Sequence, residues 1–124
     1  MQLHELSFAK IIILEDDIAE VIINDGVEMN ENMVDTYHEF LITHLSAPCF
    51  LLVNKINSYT YDFPAQIKLG TIEQIGAMAV VAYNRTTEIA TNTLASYPRD
   101  KKWNIQIFSD RDSALQWLIS QREI

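Results

Sequence analysis

Two stretches near the N-terminus combine β-branched residues with only a short polar interruption between them. Residues 8–14 and 18–23 are rich in isoleucine, and the acidic triplet 15–17 separates them. Apolar runs of this length are typical of strands, and two strands joined by so short a turn must run antiparallel. We therefore expect the fold to open with a hairpin, which Asn24-Asp25-Gly26 closes.

The chain then alternates between helical and strand patterns. Apolar side chains recur at three- and four-residue spacing between Asn30, a residue type that favours helix N-caps, and Pro48, which ends the helix. Residues 49–53 and 77–82 are continuous apolar runs, which are typical of strands covered on both faces. This pattern predicts one helix followed by two buried strands, with further helices between and after them.

Capping residues indicate where the later helices begin. Asp62 and Asn84 each precede a helical stretch, and Ser109 with Asp112 resembles a capping pair for the last helix. Residues 103–108 alternate apolar and polar side chains, which predicts a half-exposed strand at an edge of the sheet. The resulting order is β-β-α-β-α-β-α-β-α.

This order predicts an α/β fold with a mixed, mostly parallel five-stranded sheet, an N-terminal antiparallel hairpin and four helices. No linker-like or repeated stretch interrupts the 124 residues, so we interpret residues 1–124 as a single domain.

Charge and composition narrow the classes of partner and compartment. The formal net charge of −8 disfavours nucleic acid and anionic membranes, and the basic residues Arg99, Lys101 and Lys102 are interpreted as a solvated turn. No apolar run approaches the roughly 20 residues that span a bilayer. A single cysteine and an N-terminus without the pattern of a signal peptide favour a cytoplasmic location.

Residue types that carry chemistry do not form a familiar catalytic or metal motif. His38 and His44 lie on one predicted helix but about 120° apart around it, so we expect surface or helix-end histidines. The carboxylates of residues 15–31 do not have the spacing of a calcium loop, and Cys49 begins a buried strand where a thiol is inert. We predict no catalytic residue, no metal and no cofactor.

The segment after the first buried strand holds the best candidates for recognition. Ligands and partners of open α/β sheets bind at the loops that follow the carboxyl ends of the strands. Residues 54–62 form such a loop, with polar groups between aromatic rings, and the loop after the next strand is expected beside it. In the alternative interpretation, the tyrosines pack back onto the core. The candidate binding residues are Asn54, Asn57, Ser58, Tyr59, Tyr61, Asn84 and Arg85.

Several short motifs, spread over nearly the whole chain, resemble those of one superfamily. They are Phe50-Leu51-Leu52-Val53-Asn54, Asn57-Ser58-Tyr59, Ala79-Val80-Val81, Ile107-Phe108-Ser109-Asp110, Ala114-Leu115 and Trp117-Leu118. With the element order, they make the chain similar to the STAS / SpoIIAA-like superfamily, and more closely to small stand-alone bacterial STAS/SEC14-like proteins. The resemblance implies a SpoIIAA-like fold and a non-enzymatic regulatory or protein-interaction module.

The chain departs from this superfamily at its regulatory motif. Antagonists of the superfamily carry a phosphorylated serine in an Asp-Ser-x-Gly-type motif, whereas residues 59–63 here read Tyr-Thr-Tyr-Asp-Phe. Ser58 and Thr60 are only nearby hydroxyls, so the phospho-switch does not carry over. The SEC14-like side of the resemblance implies the alternative, a carrier of a small apolar ligand or lipid. The alternating strand at residues 103–108 also allows a homodimer.

Overall fold

The computed structural model describes residues 1–98 and 103–123 and shows an α/β architecture with four helices. The strands are β1 (Gln2–Glu5), β2 (Ala9–Glu15), β3 (Ile18–Ile23), β4 (Glu28–Met29), β5 (Cys49–Asn54), β6 (Thr60–Tyr61), β7 (Ile75–Val81) and β8 (Ile105–Phe108). The helices are α1 (Glu31–His44), α2 (Phe63–Lys68), α3 (Arg85–Ala95) and α4 (Arg111–Arg122).

The main sheet has six strands in the order β1-β2-β3-β5-β7-β8. The first three strands are antiparallel, and the pairs from β3 to β8 are parallel. The predicted α/β class with a mixed, mostly parallel sheet, the hairpin and the two buried parallel strands are therefore confirmed. The predicted number of five strands is wrong, because β1 pairs along β2. This strand is short and mostly exposed, so it carries no clear apolar alternation.

A second, two-stranded sheet was not predicted. Strands β4 and β6 pair in parallel, and further backbone hydrogen bonds join the two segments beyond both ends of the paired strands. The backbone N–H groups of Thr60 and Asp62 donate to the carbonyls of Val27 (3.0 Å) and Met29 (2.9 Å). The loop that follows β5 is thus attached along its length to the segment that follows β3.

Helices cover the two faces of the main sheet unequally. One core cluster joins the sheet to α1, α2 and α3 through Val34, Ala65 and Leu94. The other joins the opposite face to α4 through Ala114 and Leu118. Successive residues of a strand point to opposite faces, so each buried strand contributes to both clusters. We call these two sides of the sheet the three-helix face and the α4 face.

Helix starts follow the capping predictions with one correction. Asn30, Asp62 and Asn84 each accept a hydrogen bond from the backbone N–H three residues later, as predicted. The last helix is capped by Asp110, whose carboxylate accepts from a backbone N–H at 2.9 Å, and not by Ser109. Asp110 lies one residue closer to the helix than Ser109, so its carboxylate reaches the free backbone N–H of Ser113 in the first turn.

Strand β8 lies at the edge of the sheet, as the alternating pattern predicted, but it begins at Ile105 and not at Trp103. The homodimer that this edge strand allows stays a prediction. Within residues 1–98 and 103–123, no helix has both the length and the apolar character that crossing a membrane requires. The basic residues Arg99, Lys101 and Lys102 lie outside the described residues.

Candidate functional site

The exits of β5 and β7 lie side by side. The two strands pair in parallel up to Asn54 and Val81, and the backbone N–H of Lys55 donates to the carbonyl of Val81 at 3.1 Å. The predicted common edge of the two following loops is therefore confirmed. We call the residues that leave this edge the rim: Ile56, Tyr83, Asn84 and Arg85.

Beneath the rim, on the α4 face, four side chains form a continuous polar network. The carboxylate of Glu20 is buried and accepts from Arg111 through Nε (3.1 Å) and Nη2 (2.8 Å). It also accepts from Nδ2 of Asn54 at 2.9 Å. The Oδ1 of Asn54 accepts in turn from the Tyr83 hydroxyl at 2.9 Å. We call this set, Glu20, Arg111, Asn54 and Tyr83, the carboxylate network.

Opposing effects set the charge state of Glu20. Burial alone raises the pKa of a carboxyl group, because the charged form loses its water. The hydrogen bonds from Arg111 and Asn54, with the positive charge of Arg111, outweigh burial and hold the pKa of Glu20 below its ordinary value. The same contact raises the pKa of Arg111. Both groups stay ionised at neutral pH, and each charge is matched.

Sequence reasoning missed both charged members of this network. Glu20 does carry a signal, because a carboxylate within the apolar stretch 18–23 is rarely buried unless it is paired. Its partner carries none, since Arg111 lies 91 positions further along the chain. The pairing arises only when α4 packs across β5 and β7, which brings Arg111 to the carboxylate on the neighbouring strand β3.

The predicted loop residues mainly hold the loop in place. The Nδ2 of Asn57 donates to the carbonyl of Ile23 at 2.9 Å, and the backbone N–H of Ser58 donates to Asp25 at 2.9 Å. Tyr59 and Tyr61 pack against the core of the three-helix face, with their hydroxyls 3.4 Å apart. Of the two interpretations of these tyrosines, packing back onto the core is the one that the structure shows.

Burial has the expected effect on the two tyrosine hydroxyls. It raises the pKa of Tyr61 to about 12 and that of Tyr59 well above its ordinary value. Both hydroxyls are therefore protonated at neutral pH. The Tyr61 hydroxyl donates to that of Tyr59, and both are polar tips of apolar rings.

Asn84 and Arg85 lie at the rim. Asn84 caps α3 by accepting from the backbone N–H of Thr87 at 2.8 Å. The side chain of Arg85 is 82% exposed, and its distance to Glu88 is 3.9 Å. The structure therefore divides the predicted binding residues. Asn54 joins Asn84 and Arg85 near the rim, whereas the two tyrosines turn to the opposite face of the sheet.

A groove of about 350 Å³ runs along the three-helix face between the 54–62 loop, α2 and α3. Behind it lies an apolar cavity of about 40 Å³. Four side chains line both spaces: Lys55, Tyr59, Tyr61 and Leu94. The other groove residues are Thr60, Gln66, Ala90, Thr93 and Tyr97. We call this groove with its lining the Lys55 groove.

Lys55 places a positive charge among these apolar walls. Its Nζ donates to Oγ1 of Thr91 at 3.0 Å and lies 5.6 Å from the ring centroid of Tyr59. Burial lowers the pKa of Lys55 to about 8, because the ammonium group loses water there. The ion pairs of the described residues use other cations, namely Lys68, Arg85, Arg111 and Arg122. No described carboxylate therefore pairs with Lys55.

The expected surface position of His38 is wrong. Its side chain is only 5% exposed, and its Nε2 accepts from the backbone N–H of Gly70 at 3.0 Å. The helical stripe that begins at Val34 includes position 38, so the ring turns towards the core. Burial lowers the pKa of His38 to about 4, partly opposed by the nearby Asp35. His44 is exposed at the helix end, as expected.

Among residues 1–98 and 103–123, no group of three or more histidine, cysteine or acidic side chains is arranged to hold a metal ion. Comparisons with known proteins add no identification. No family model, no curated protein and no solved structure matches this chain. The resemblance to the STAS superfamily stays a prediction from the residues that carry it.

Proposed function

We propose that this chain is a non-enzymatic, STAS-like regulatory or protein-interaction module whose contact surface is the rim. The observation that carries the proposal is the exposure of large apolar groups there. Ile56 is 64% exposed and Tyr83 is 47% exposed, and they follow the ends of adjacent strands. Exposed apolar and aromatic groups beside an arginine are typical of protein contact surfaces.

The carboxylate network supports this proposal because it makes the rim rigid. The Tyr83 hydroxyl donates to Asn54, and Asn54 donates to the Glu20 carboxylate. The same carboxylate accepts hydrogen bonds from two nitrogens of Arg111. A partner that contacts Tyr83 meets a ring already held in one position. The entropy lost on binding is correspondingly smaller.

The buried titratable groups support the non-enzymatic part of the proposal. Glu20 is committed to its ion pair with Arg111, and His38 is held neutral while it accepts from Gly70. Both are engaged in contacts that stabilise the fold. In the proposed function, these groups hold the fold in place and do not exchange protons with a substrate.

A capture experiment with surface variants tests the rim. The tagged chain is used to capture proteins from a lysate of its source cells, with quantification by mass spectrometry. Ile56→Lys and Arg85→Glu change only exposed side chains, and we expect each to reduce a specific partner about tenfold or more. Ile42→Lys on α1 is the matched control, because Ile42 is 49% exposed and lies away from the rim. If both rim variants capture every protein at the wild-type level, the proposal fails.

A second candidate function, binding of a small apolar ligand, is favoured by the Lys55 groove. The inner cavity of about 40 Å³ holds only a few water molecules, which is too little space for a lipid chain. The groove outside it, at about 350 Å³, lies within the usual range for small-molecule sites. Ligand binding is therefore proposed for the groove and not for the interior.

A further inference from the structure

Among the described residues, the Lys55 groove combines mostly apolar walls with one half-buried positive charge. Tyr59, Leu94 and Tyr97 supply apolar surface, and Lys55 lies where the groove meets the inner cavity. Its ammonium group has one hydroxyl partner, Thr91, and no partner among the described carboxylates. A partly desolvated cation in such surroundings gains more from an anion than an exposed one does.

We propose that the Lys55 groove binds a small amphipathic monocarboxylate, with its carboxylate on Lys55 Nζ and its apolar body against Tyr59 and Leu94. This inference rests on the second candidate function, ligand binding, and does not depend on the rim.

The balance of charge favours one negative charge on the ligand. Thr91 already uses its hydroxyl proton to donate to the carbonyl of Thr87 at 2.8 Å, so it accepts from Lys55 and offers no further donor. The ammonium group keeps two N–H bonds for a ligand. A dianion would leave one charge unmatched beside the tyrosine rings, which is costly away from water.

The shape of the groove favours a short apolar body. Its floor continues into the inner cavity through Tyr59, Tyr61 and Leu94, so a chain that starts at Lys55 remains on apolar surface. The two tyrosine hydroxyls contact each other, and both side chains line the groove with their rings packed edge to face. At about 350 Å³, the groove fits a small molecule.

Isothermal titration calorimetry with three probes that share one apolar chain tests the inference. The probes are octanoate, octanol and octylamine at neutral pH. We expect wild-type protein to bind octanoate about tenfold or more tightly than octanol, because a charged hydrogen bond is added, and to bind octylamine weakest. In Lys55→Met, which keeps an apolar stem, the preference for octanoate over octanol should disappear. Lys10→Met removes an exposed lysine and should leave the preference unchanged.

A variant that blocks the groove tests whether the groove binds a ligand at all, separately from whether that ligand is a carboxylate. Ala90 lines the groove from an exposed position on α3, so Ala90→Trp fills the groove without altering the core. It should abolish binding of octanoate and octanol alike. Equal affinities for the two probes in the wild type would overturn the carboxylate class and leave ligand binding standing. No saturable binding of either probe would overturn both, while the rim would remain to be judged by its own variants.

Discussion

Two consecutive residues at the end of β5 lead into opposite kinds of surroundings. Asn54 points to the α4 face and enters a network in which each charge has a partner. Lys55 points to the three-helix face and enters a mostly apolar groove, in which its charge has a hydroxyl and a tyrosine ring beside it but no described carboxylate. The alternation of side chains along one strand is enough to separate a matched polar site from an unmatched one.

The difference bears on which of these two places would take up a small anionic ligand. Adding a ligand to the carboxylate network would mean breaking contacts that already satisfy buried groups, at a considerable cost in free energy. Adding an anion beside Lys55 breaks no ion pair of the described residues and offsets the burial of the ammonium group. The network therefore serves the stability of the fold, and the groove is the place where the proposed anionic ligand would bind.

The largest expected effect comes from breaking the network. Arg111→Ala leaves the Glu20 carboxylate buried without its cation, and we expect the free energy of unfolding to fall by about 3 kcal/mol. Chemical denaturation at neutral pH measures this loss. Arg85→Ala, which removes an exposed arginine of the rim, should change stability by less than about 0.5 kcal/mol. Similar losses for the two variants would show that the network does not hold the α4 face together.

Acid should affect the two faces in different pH ranges. His38 on the three-helix face has its pKa lowered to about 4, so the unfolded chain binds a proton that the folded chain refuses between about pH 6.5 and 4. Stability rises with pH over this range, and its loss on acidification reaches at most about 3 kcal/mol near pH 4. Glu20 also has a lowered pKa, so its contribution is lost only as the pH falls below the ordinary glutamate value of about 4.3.

Denaturation curves at several pH values separate these two contributions. His38→Gln keeps a side-chain acceptor for the Gly70 N–H but does not titrate. Its stability should therefore be flat between about pH 6.5 and 5, where the wild type already declines. A wild-type slope that persists unchanged in His38→Gln would mean that another group controls the acid sensitivity of this face.

The smallest expected effect has the opposite sign. The pKa of Lys55 is lowered to about 8, so this half-buried charge destabilises the fold at neutral pH. Lys55→Met should raise the free energy of unfolding by about 1 to 2 kcal/mol, since the bond to Thr91 is lost at the same time. The difference from the wild type should shrink above about pH 8, as Lys55 loses its proton in the folded chain. A net loss of stability would show that the ammonium group is already well compensated.

Local signals predicted the parts of the fold that depend on nearby residues. The isoleucine-rich hairpin, the two apolar runs and the caps at Asn30 and Asn84 each involve residues within a few positions of one another. Strands β1, β4 and β6 have two to four residues, too few for a periodic pattern. Strand β1 pairs with its neighbour β2, whereas β4 and β6 lie far apart in sequence and form only by pairing with each other.

The candidate site was harder to predict for the same reason. The order of the strands brought the two loops to one edge, and this much followed from the sequence. Which of residues 54–61 lie on the α4 face and which on the three-helix face depends on where β5 ends and on which helices cover each side. The partner of Glu20 and the burial of Lys55 are set by the packing of α4 and α3, which no short stretch of sequence specifies.

The two-stranded sheet of β4 and β6 has a consequence for engineering this protein. From Gly26, which donates to the carbonyl of Ser58, to Met29, which accepts from Asp62, two segments far apart in sequence are joined backbone to backbone. A foreign loop grafted between β5 and α2 would lose the partner that shapes it. A loop exchange with another protein must therefore transfer residues 24–29 and 54–62 together, as a single unit.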